Sequence, residues 1–440
     1  MKKLIPILIF LFVSNVALSQ TGWVVYPTGV ISTLWDVNFI DENTGWIVGD
    51  TTAVFKSTNG GLNWTKQNIS YVTDIELYSV KFLNENTGFA AGGHHSGFYD
   101  LHYAYIFKTT NGGINWNTLY NDGGSPWFFN EILPFNDSII FATAEGSTGF
   151  ISTGGVYKST NGGLNFTSNY PNIQSHSLSF INSLTGWASG YYWNDVGTKI
   201  IYIYRTTNAG MNWNQQYRDS NDYAVRITKI QFLNENTGYA VGGVNSTIFY
   251  KTTNSGLNWD TTYYPNRKNE TLLFLNENTG WKAGCGIPDS SCVAYTSNGG
   301  ASWFLQRPGV IARVYGLCFI NALTGWAAMW DGTIMKTVTG GFVSVSNLGN
   351  EIPSEYKLHQ NYPNPFNPFT NIRFDIPRSS HVKLIIYDAL GREVTMLVNE
   401  KLNAGSYETD WNGADYPSGV YFYKLHAGEF VNVKRMVLVK

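Results

Sequence analysis

A segment rich in Asn, Gly and Trp recurs along the chain, and its spacing restricts the fold more than any other property of the sequence. It reads Lys56-Ser57-Thr58-Asn59-Gly60-Gly61-Leu62-Asn63-Trp64. It returns as Lys108 to Trp116, Lys158 to Phe166, Arg205 to Trp213, Lys251 to Trp259 and Tyr295 to Trp303. A shorter segment, Asn43-Thr44-Gly45-Trp46, precedes it and returns around Gly88-Phe89, Gly186-Trp187, Gly238-Tyr239, Gly280-Trp281 and Gly325-Trp326. The third unit keeps only Ile139-Ile140-Phe141-Ala142 at that place, and a seventh closes weakly with Thr339-Gly340-Gly341-Phe342. Units of roughly 40–52 residues have the length of a four-stranded propeller blade rather than of a helical repeat. The spacing predicts an all-β chain: a seven-bladed β-propeller followed by a small immunoglobulin-like β-sandwich.

The chemistry inside a unit agrees. Val80-Lys81-Phe82-Leu83 alternates with the period of a half-buried strand. Asn-Thr-Gly and Asn-Gly-Gly are expected to place Gly at positive φ and Asn where its side chain bonds the following backbone. The Trp three residues after the second Gly is then carried back into the sheet to pin the turn. Gly22-Trp23-Val24-Val25 resembles the tail of such a unit without its front, while the seventh unit lacks a good tail. The N-terminal strand is therefore expected to complete the last blade and remove two exposed edges.

The N-terminus bears on the compartment. Lys2 and Lys3 precede an apolar run from Leu4 to Val13, and Ala17-Leu18-Ser19 supplies the small residues a signal peptidase reads. Residues 1–19 are expected to be a signal peptide, leaving Gln20 first in the mature chain. The run is too short for a membrane span, and no other segment is apolar for long enough, so no transmembrane segment is expected in the mature protein. A net charge of −2 gives no reason to expect nucleic acid. With three cysteines there is no disulfide scaffold. Cys285 and Cys292 bracket a short loop and are spaced to pair in an oxidising compartment, whereas Cys318, in an apolar run, reads as a buried thiol.

In a four-stranded antiparallel blade successive turns alternate between the two ends of the ring. The Asn-Thr-Gly and Asn-Gly-Gly turns share one face; the second turn and the inter-blade link share the other. Length and composition vary only at the latter, as on a rigid scaffold that carries function on its loops. The candidates there are Tyr191, Tyr192 and Trp193, with Trp127, Tyr217, Tyr223, Tyr263 and Arg267 on the links, as aromatic platforms for sugar rings or a protein partner. His94, His95 and His102 are weak metal candidates, since three His in a polar loop are more often solvated than ligating. A glycosidase needs two carboxylates across a cleft, and Asp36, Asp222 or Asp331 can be nominated for that only by guesswork. No cofactor is expected.

Two resemblances add to this. Ser57 to Trp64 fits the Asp-box pattern, with Asn in the Asp position in all six clear copies: Asn59, Asn111, Asn161, Asn208, Asn254 and Asn298. The array resembles the propellers of photosystem II assembly factors and, more distantly, sialidases and xyloglucanases. The propeller is placed at 20–343, a polar linker at 344–357 and the final domain at 358–440. That domain carries Gln360-Asn361-Tyr362-Pro363-Asn364-Pro365-Phe366-Asn367-Pro368. It goes on with a turn around Gly391, then Gly419-Val420-Tyr421-Phe422-Tyr423-Lys424, and a terminus running from Lys434 to Lys440. It resembles the type A C-terminal sorting domain of type IX secretion. The resemblance implies export through the periplasm to the cell surface or medium, with the secretion machinery and a surface sortase as partners. The function expected is that of an exported binding propeller contacting a glycan or protein. The alternative is a secreted sialidase- or xyloglucanase-like glycoside hydrolase.

Overall fold

The computed structural model describes residues 22–440 except 70–73, 96–101, 122–126, 149–150, 170–172, 194–198, 221–225, 244–245, 266, 287–289, 307–311, 343–345, 349–351 and 414–415. The expected signal peptide, Asp222 and Tyr223 lie outside the described residues.

The described chain forms nine four-stranded antiparallel sheets. Seven are blades with strands in sequence order from the ring axis outward; the first comprises Leu34–Phe39, Gly45–Gly49, Ala53–Ser57 and Thr65–Lys66. The seventh is completed by Trp23–Pro27, which pairs along Thr333–Thr337. Trp23 stands where the other blades have the last Trp of the repeat. It meets Phe319 edge-on at 5.8 Å, as Trp64 meets Phe39 at 5.8 Å.

The repeated residues build the turns and the joints between blades. In the first unit Ser57 Oγ accepts from Gly61 N at 2.8 Å, and Asn59 Oδ1 accepts from Asn63 N at 3.0 Å. The turn needs only an acceptor at Oδ1, so Asn serves as well as Asp. Gly60 and Gly61 have φ of 70° and 86°, as expected for Asn-Gly-Gly. The glycine of Asn-Thr-Gly departs from expectation: Gly45, Gly88, Gly186, Gly238, Gly280 and Gly325 have ordinary φ. Each is held instead by lack of space, because an added Cβ at Gly45 would lie 2.5 Å from the Phe39 ring, and the other five repeat the clash. The aromatic that follows stacks on the corresponding Phe of the next blade: Trp46 on Phe82, Trp187 on Phe232 and Trp326 on Phe39, with centroids 3.4–3.6 Å apart. The Trp326 stack crosses the point where the ring closes. Phe141 takes the Trp place in the third blade and stacks on Phe180 at 4.1 Å.

The remaining two sheets face each other as a sandwich around Leu384, Trp411, Tyr423 and Met436. Part of the stretch expected as a linker belongs to it: Ser346–Asn347 pairs along Gly405–Asn412, because its backbone completes an otherwise open edge. Ile385 and Met396, on the outer surface of the second sheet, pack with Tyr295 and Phe342 of the propeller. Asn399 Nδ2 donates to Tyr295 Oη at 3.2 Å across the same contact.

Candidate functional site: the loop-face mouth of the channel

The seven innermost strands line a central channel. An innermost strand has one edge paired within its blade and the other facing the axis, which leaves N–H groups to be satisfied. Channel side chains of the preceding blade supply the acceptors. Asp36 accepts from Val80 N, Ser79 from Ile132 N, Glu131 from Leu178 N and Ser177 from Ile230 N, at 3.0–3.3 Å. Lower in the channel Asn38 accepts from Phe82 N, and Cys318 Sγ accepts from Phe39 N at 3.3 Å. Burial pushes the Cys318 thiol up to about 11, which keeps it protonated and unreactive. Asp36, paired with Lys81 at 2.8 Å, and Glu131, paired with Lys229, are thus structural braces.

Above the braces, every innermost strand bulges at the same place. The ladder shifts register around Trp35, Tyr78, Asn130, His176, Thr228, Glu270 and Tyr315 in blades one to seven. A bulge re-aims the side chain of its extra residue. All seven line a single cavity of about 500 Å³. It opens toward the variable-loop face, since the bulges lie at the strand ends that follow the inter-blade links.

Its wall has two chemically different halves. Across blades seven, one, two and three run Tyr315, Trp35, Tyr78 and Phe128, with neighbouring centroids 4.4, 5.2 and 5.2 Å apart, all partly exposed. Trp35 Nε1 donates to Asp50 at 2.6 Å and Tyr78 Oη to Glu76, which fixes both rings. Burial, with the Glu76 charge beside it, raises the Tyr78 phenol far above its usual range, so it stays neutral.

Opposite, across blades three to six, stand Asn130, Glu145, His176, Arg226 and Glu270. Glu145 accepts from Asn130 Nδ2 at 2.9 Å and from Tyr191 Oη. Burial alone raises its pKa, but His176, Tyr191, Arg226 and Asn130 outweigh it and hold the carboxyl below its usual range. Burial lowers the His176 pKa against the pull of Glu145, and Arg226 lowers it further. Its Nε2 is sealed from solvent without a hydrogen-bond partner. Lys199 lies 3.5 Å from the centroid of the Tyr191 ring, and burial brings its pKa down to about 8. Glu270 pairs with Lys268 at 2.6 Å and Arg226 at 3.7 Å.

The aromatic candidates from the sequence are dispersed. Tyr191 is buried (6% exposed) beneath Lys199 as a support for Glu145, because its strand turns it toward the mouth rather than outward. Tyr192 is partly buried, and Trp127 packs against the core of blade three. Tyr217 lies against the core of blade five with its hydroxyl on Asp219. Tyr263 is 53% exposed on an outer strand of blade five, away from the channel. The side chains of Trp193, Arg267, His94, His95 and His102 lie outside what is described. Among the described residues no group of three His, Cys, Asp or Glu is placed to hold a metal. The register sets Cys285 opposite Ser291, and Cys292 opposite Gly284, so the two cysteines are not direct cross-strand partners. Asp331 only braces its own turn, through Thr333.

The residues that sequence reasoning missed are the bulged ones, and a signal for them exists. Within the frame set by Leu34-x-x-Val37 and Leu77-x-x-Val80, the bulged position changes chemistry from blade to blade (Trp, Tyr, Asn, His, Thr, Glu, Tyr), and so does the position after it (Asp, Ser, Glu, Ser, Lys, Thr, Gly). The repeat keeps the apolar frame and leaves both channel-facing places free to vary.

In the sandwich, the motif residues divide. Asn361 is buried; its backbone N–H donates to Tyr423 Oη at 2.8 Å and its Nδ2 donates to Thr370 Oγ1 at 2.9 Å. Phe366 is buried and bridges to Leu438, while Tyr421 Oη donates to Pro417 O at 2.8 Å. Pro363 and Pro365 follow cis peptide bonds, and Gly391 takes the φ of 76° its exposed turn requires. Gly419 opens the strand Gly419–Ala427, on which Lys424 is partly exposed; Lys434 is partly exposed on the last strand, and Lys440 ends the chain with its N–H on Ser418.

Blades of this construction, closed by an N-terminal strand and followed by a terminal sandwich, define an Asp-box propeller joined to a sorting domain. Residues 15–192 match the family of the photosynthesis system II assembly factor YCF48, and residues 360–440 match the secretion system C-terminal sorting domain. The propeller is thus similar in fold to those of YCF48, and the match of the final domain to the sorting domain implies secretion to the cell surface or the extracellular space. The structure of YCF48 bound to D1 peptide is similar with a TM-score of 0.54 and 18% identity, over 72% of this chain and 97% of that one. YCF48 from Cyanidioschyzon merolae is similar with a TM-score of 0.50 and 19% identity, over 72% and 98%. No curated protein sequence matches. Among the described residues no helix is long and apolar enough to cross a membrane.

Proposed function

We propose that this protein is an exported binding propeller that holds its partner at the loop-face mouth of the channel and does no chemistry on it. A signal peptide takes it to the periplasm, the sorting domain takes it across the outer membrane, and a surface sortase cuts near Ser344 to Tyr356. The observation that carries the binding role is the set of seven bulges: one re-aimed residue per blade, all seven lining one shared cavity. YCF48 bound to D1 peptide is a propeller of this fold holding a partner.

The hydrolase alternative has carboxylates in the right region but in the wrong state. A glycosidase keeps one carboxyl protonated to act as acid. Glu145 is pushed the opposite way, and Asp36 and Glu131 are committed to brace neighbouring blades. Incubating the mature protein with a panel of nitrophenyl glycosides and sialosides should release no nitrophenol. Release that disappears in Glu145→Gln would replace binding with catalysis.

A further inference from the structure

We infer that the ligand of this mouth is an uncharged saccharide made of pyranose rings with equatorial hydroxyls. The inference depends on the binding role just proposed and adds the chemistry of what is bound.

The two halves of the wall match the two aspects of such a ring. A pyranose with equatorial hydroxyls has faces made only of axial C–H bonds, and all its polar atoms lie at its rim. The continuous arc Tyr315–Trp35–Tyr78–Phe128 offers aromatic surface for the C–H face. Asn130, Glu145 and Arg226 stand across the cavity with donors and acceptors for the rim. A cavity of about 500 Å³ lies within the usual range of small-ligand sites, roughly 300–1,000 Å³.

The charges argue for a neutral ligand. Four carboxylates (Asp36, Glu131, Glu145, Glu270) and three cations (Lys81, Arg226, Lys229) line the cavity. Lys81 neutralises Asp36, Lys229 neutralises Glu131, and Arg226 with Lys268 neutralises Glu270. Glu145 accepts from Tyr191 and Asn130, and the Arg226 charge also acts on it, Glu270 being paired with Lys268. A charged ligand would have to break one of these pairs and leave its partner buried and uncompensated. Hydroxyl groups, which both donate and accept, can join the same groups without displacing any.

A peptide fits less well. Extended peptides are commonly gripped by an open strand edge. Inner-strand N–H groups that such an edge would offer are capped by Asp36, Ser79, Glu131 and Ser177 of the adjoining blades. The mouth therefore recognises side-chain to ligand, as sugar sites do, rather than backbone to backbone.

The test uses the full mature chain on a glycan array and a peptide array, followed by calorimetric titration with neutral gluco- and xylo-configured oligosaccharides. Tyr78→Ala removes aromatic surface, and Asn130→Ala removes a rim contact together with the Asn130 bonds to Glu145 and to Ser175 O; Tyr263→Ala, far from the channel, is the control. The expected result is binding of the neutral oligosaccharides, weakened about tenfold or more by each mouth substitution and unchanged in the control. Melting temperatures close to wild type assign the loss to the site; if Tyr78→Ala melts early, Asn130→Ala decides alone. No oligosaccharide binding, or binding indifferent to Asn130→Ala, overturns the inference. Peptide binding that Asn130→Ala abolishes overturns it too, while leaving the mouth as the binding site.

Discussion

His176 sits where burial disfavours the charged form of its ring. It rises from the bulge of the fourth blade between Glu145, which attracts a proton to it, and Arg226, which repels one, and burial decides the balance toward neutrality. Folding therefore lowers its pKa from the ordinary 6.5. Below that value the unfolded chain takes up a proton that the folded chain refuses, so stability is full above pH 6.5 and falls as the pH drops toward the folded value. The slope from one such group is at most about 1.4 kcal/mol per pH unit. Glu145 adds to the loss at lower pH, because its folded pKa is depressed below the ordinary 4.5 and its contribution vanishes as it is protonated. Urea unfolding at pH 7.5, 6.5 and 5.5 should show this decline, and His176→Asn should flatten the part between 6.5 and 5.5. Equal pH dependence in the variant would show that the ring is not shielded.

The element that carries most of the ring's cohesion is the second strand of each blade, through one aromatic residue. Trp187 is fully buried, stacks on Phe232 of the next blade at 3.6 Å and donates to Ser255 O at 2.9 Å. Trp187→Ala should lower stability by about 3–5 kcal/mol through the cavity it opens. Trp187→Phe should cost less than half of that, since the third blade already works with Phe141 at this place. Denaturant midpoints of the two variants check the ranking, and equal losses would mean the indole hydrogen bond rather than the stack holds the blades together. At this scale the sequence was most legible. Thr-Gly-Trp and Asn-Gly-Gly repeat because every blade meets its neighbour in the same way, and repetition is what a single sequence can display. The reason for the Thr-Gly glycine was not legible, because the Phe39 ring that excludes a Cβ at Gly45 comes from the preceding strand and no local rule points to it. The mouth was hidden for a related reason. Its residues are about 50 positions apart and share no motif, so only a closed ring shows them to be neighbours. The exposed-looking run Tyr191-Tyr192-Trp193 attracted attention instead, and its first member proves to be a buried prop for Glu145.

At the scale of the molecule, function depends on closure. The cavity is common ground for seven strands only while the seventh blade is joined to the first. The contacts that close it include Trp326 of the last blade on Phe39 of the first, the Phe39 N–H on Cys318 Sγ and, completing the last blade, the strand Trp23–Pro27 laid along Thr333–Thr337. The strand is the most vulnerable of these, being five residues long and next to the expected signal-peptide cut. Trp23 anchors it, fully buried and donating to Gln306 Oε1 at 2.9 Å. Removing residues 20–29 from the mature protein should leave Thr333–Thr337 as a bare edge and expose the core around Phe319 and Met335. The sorting domain, whose Ile385 and Met396 pack into that same cluster, should lose part of its seat with it. Trp23→Ala is the milder version and should lower stability by about 3–5 kcal/mol. The truncated protein should melt earlier, bind a hydrophobic dye and self-associate through its open edge, and light scattering with dye fluorescence would detect both. A truncated protein as monomeric and as heat-resistant as the intact one would mean that the ring is held shut by the Trp326 stack and the other blade contacts without this strand.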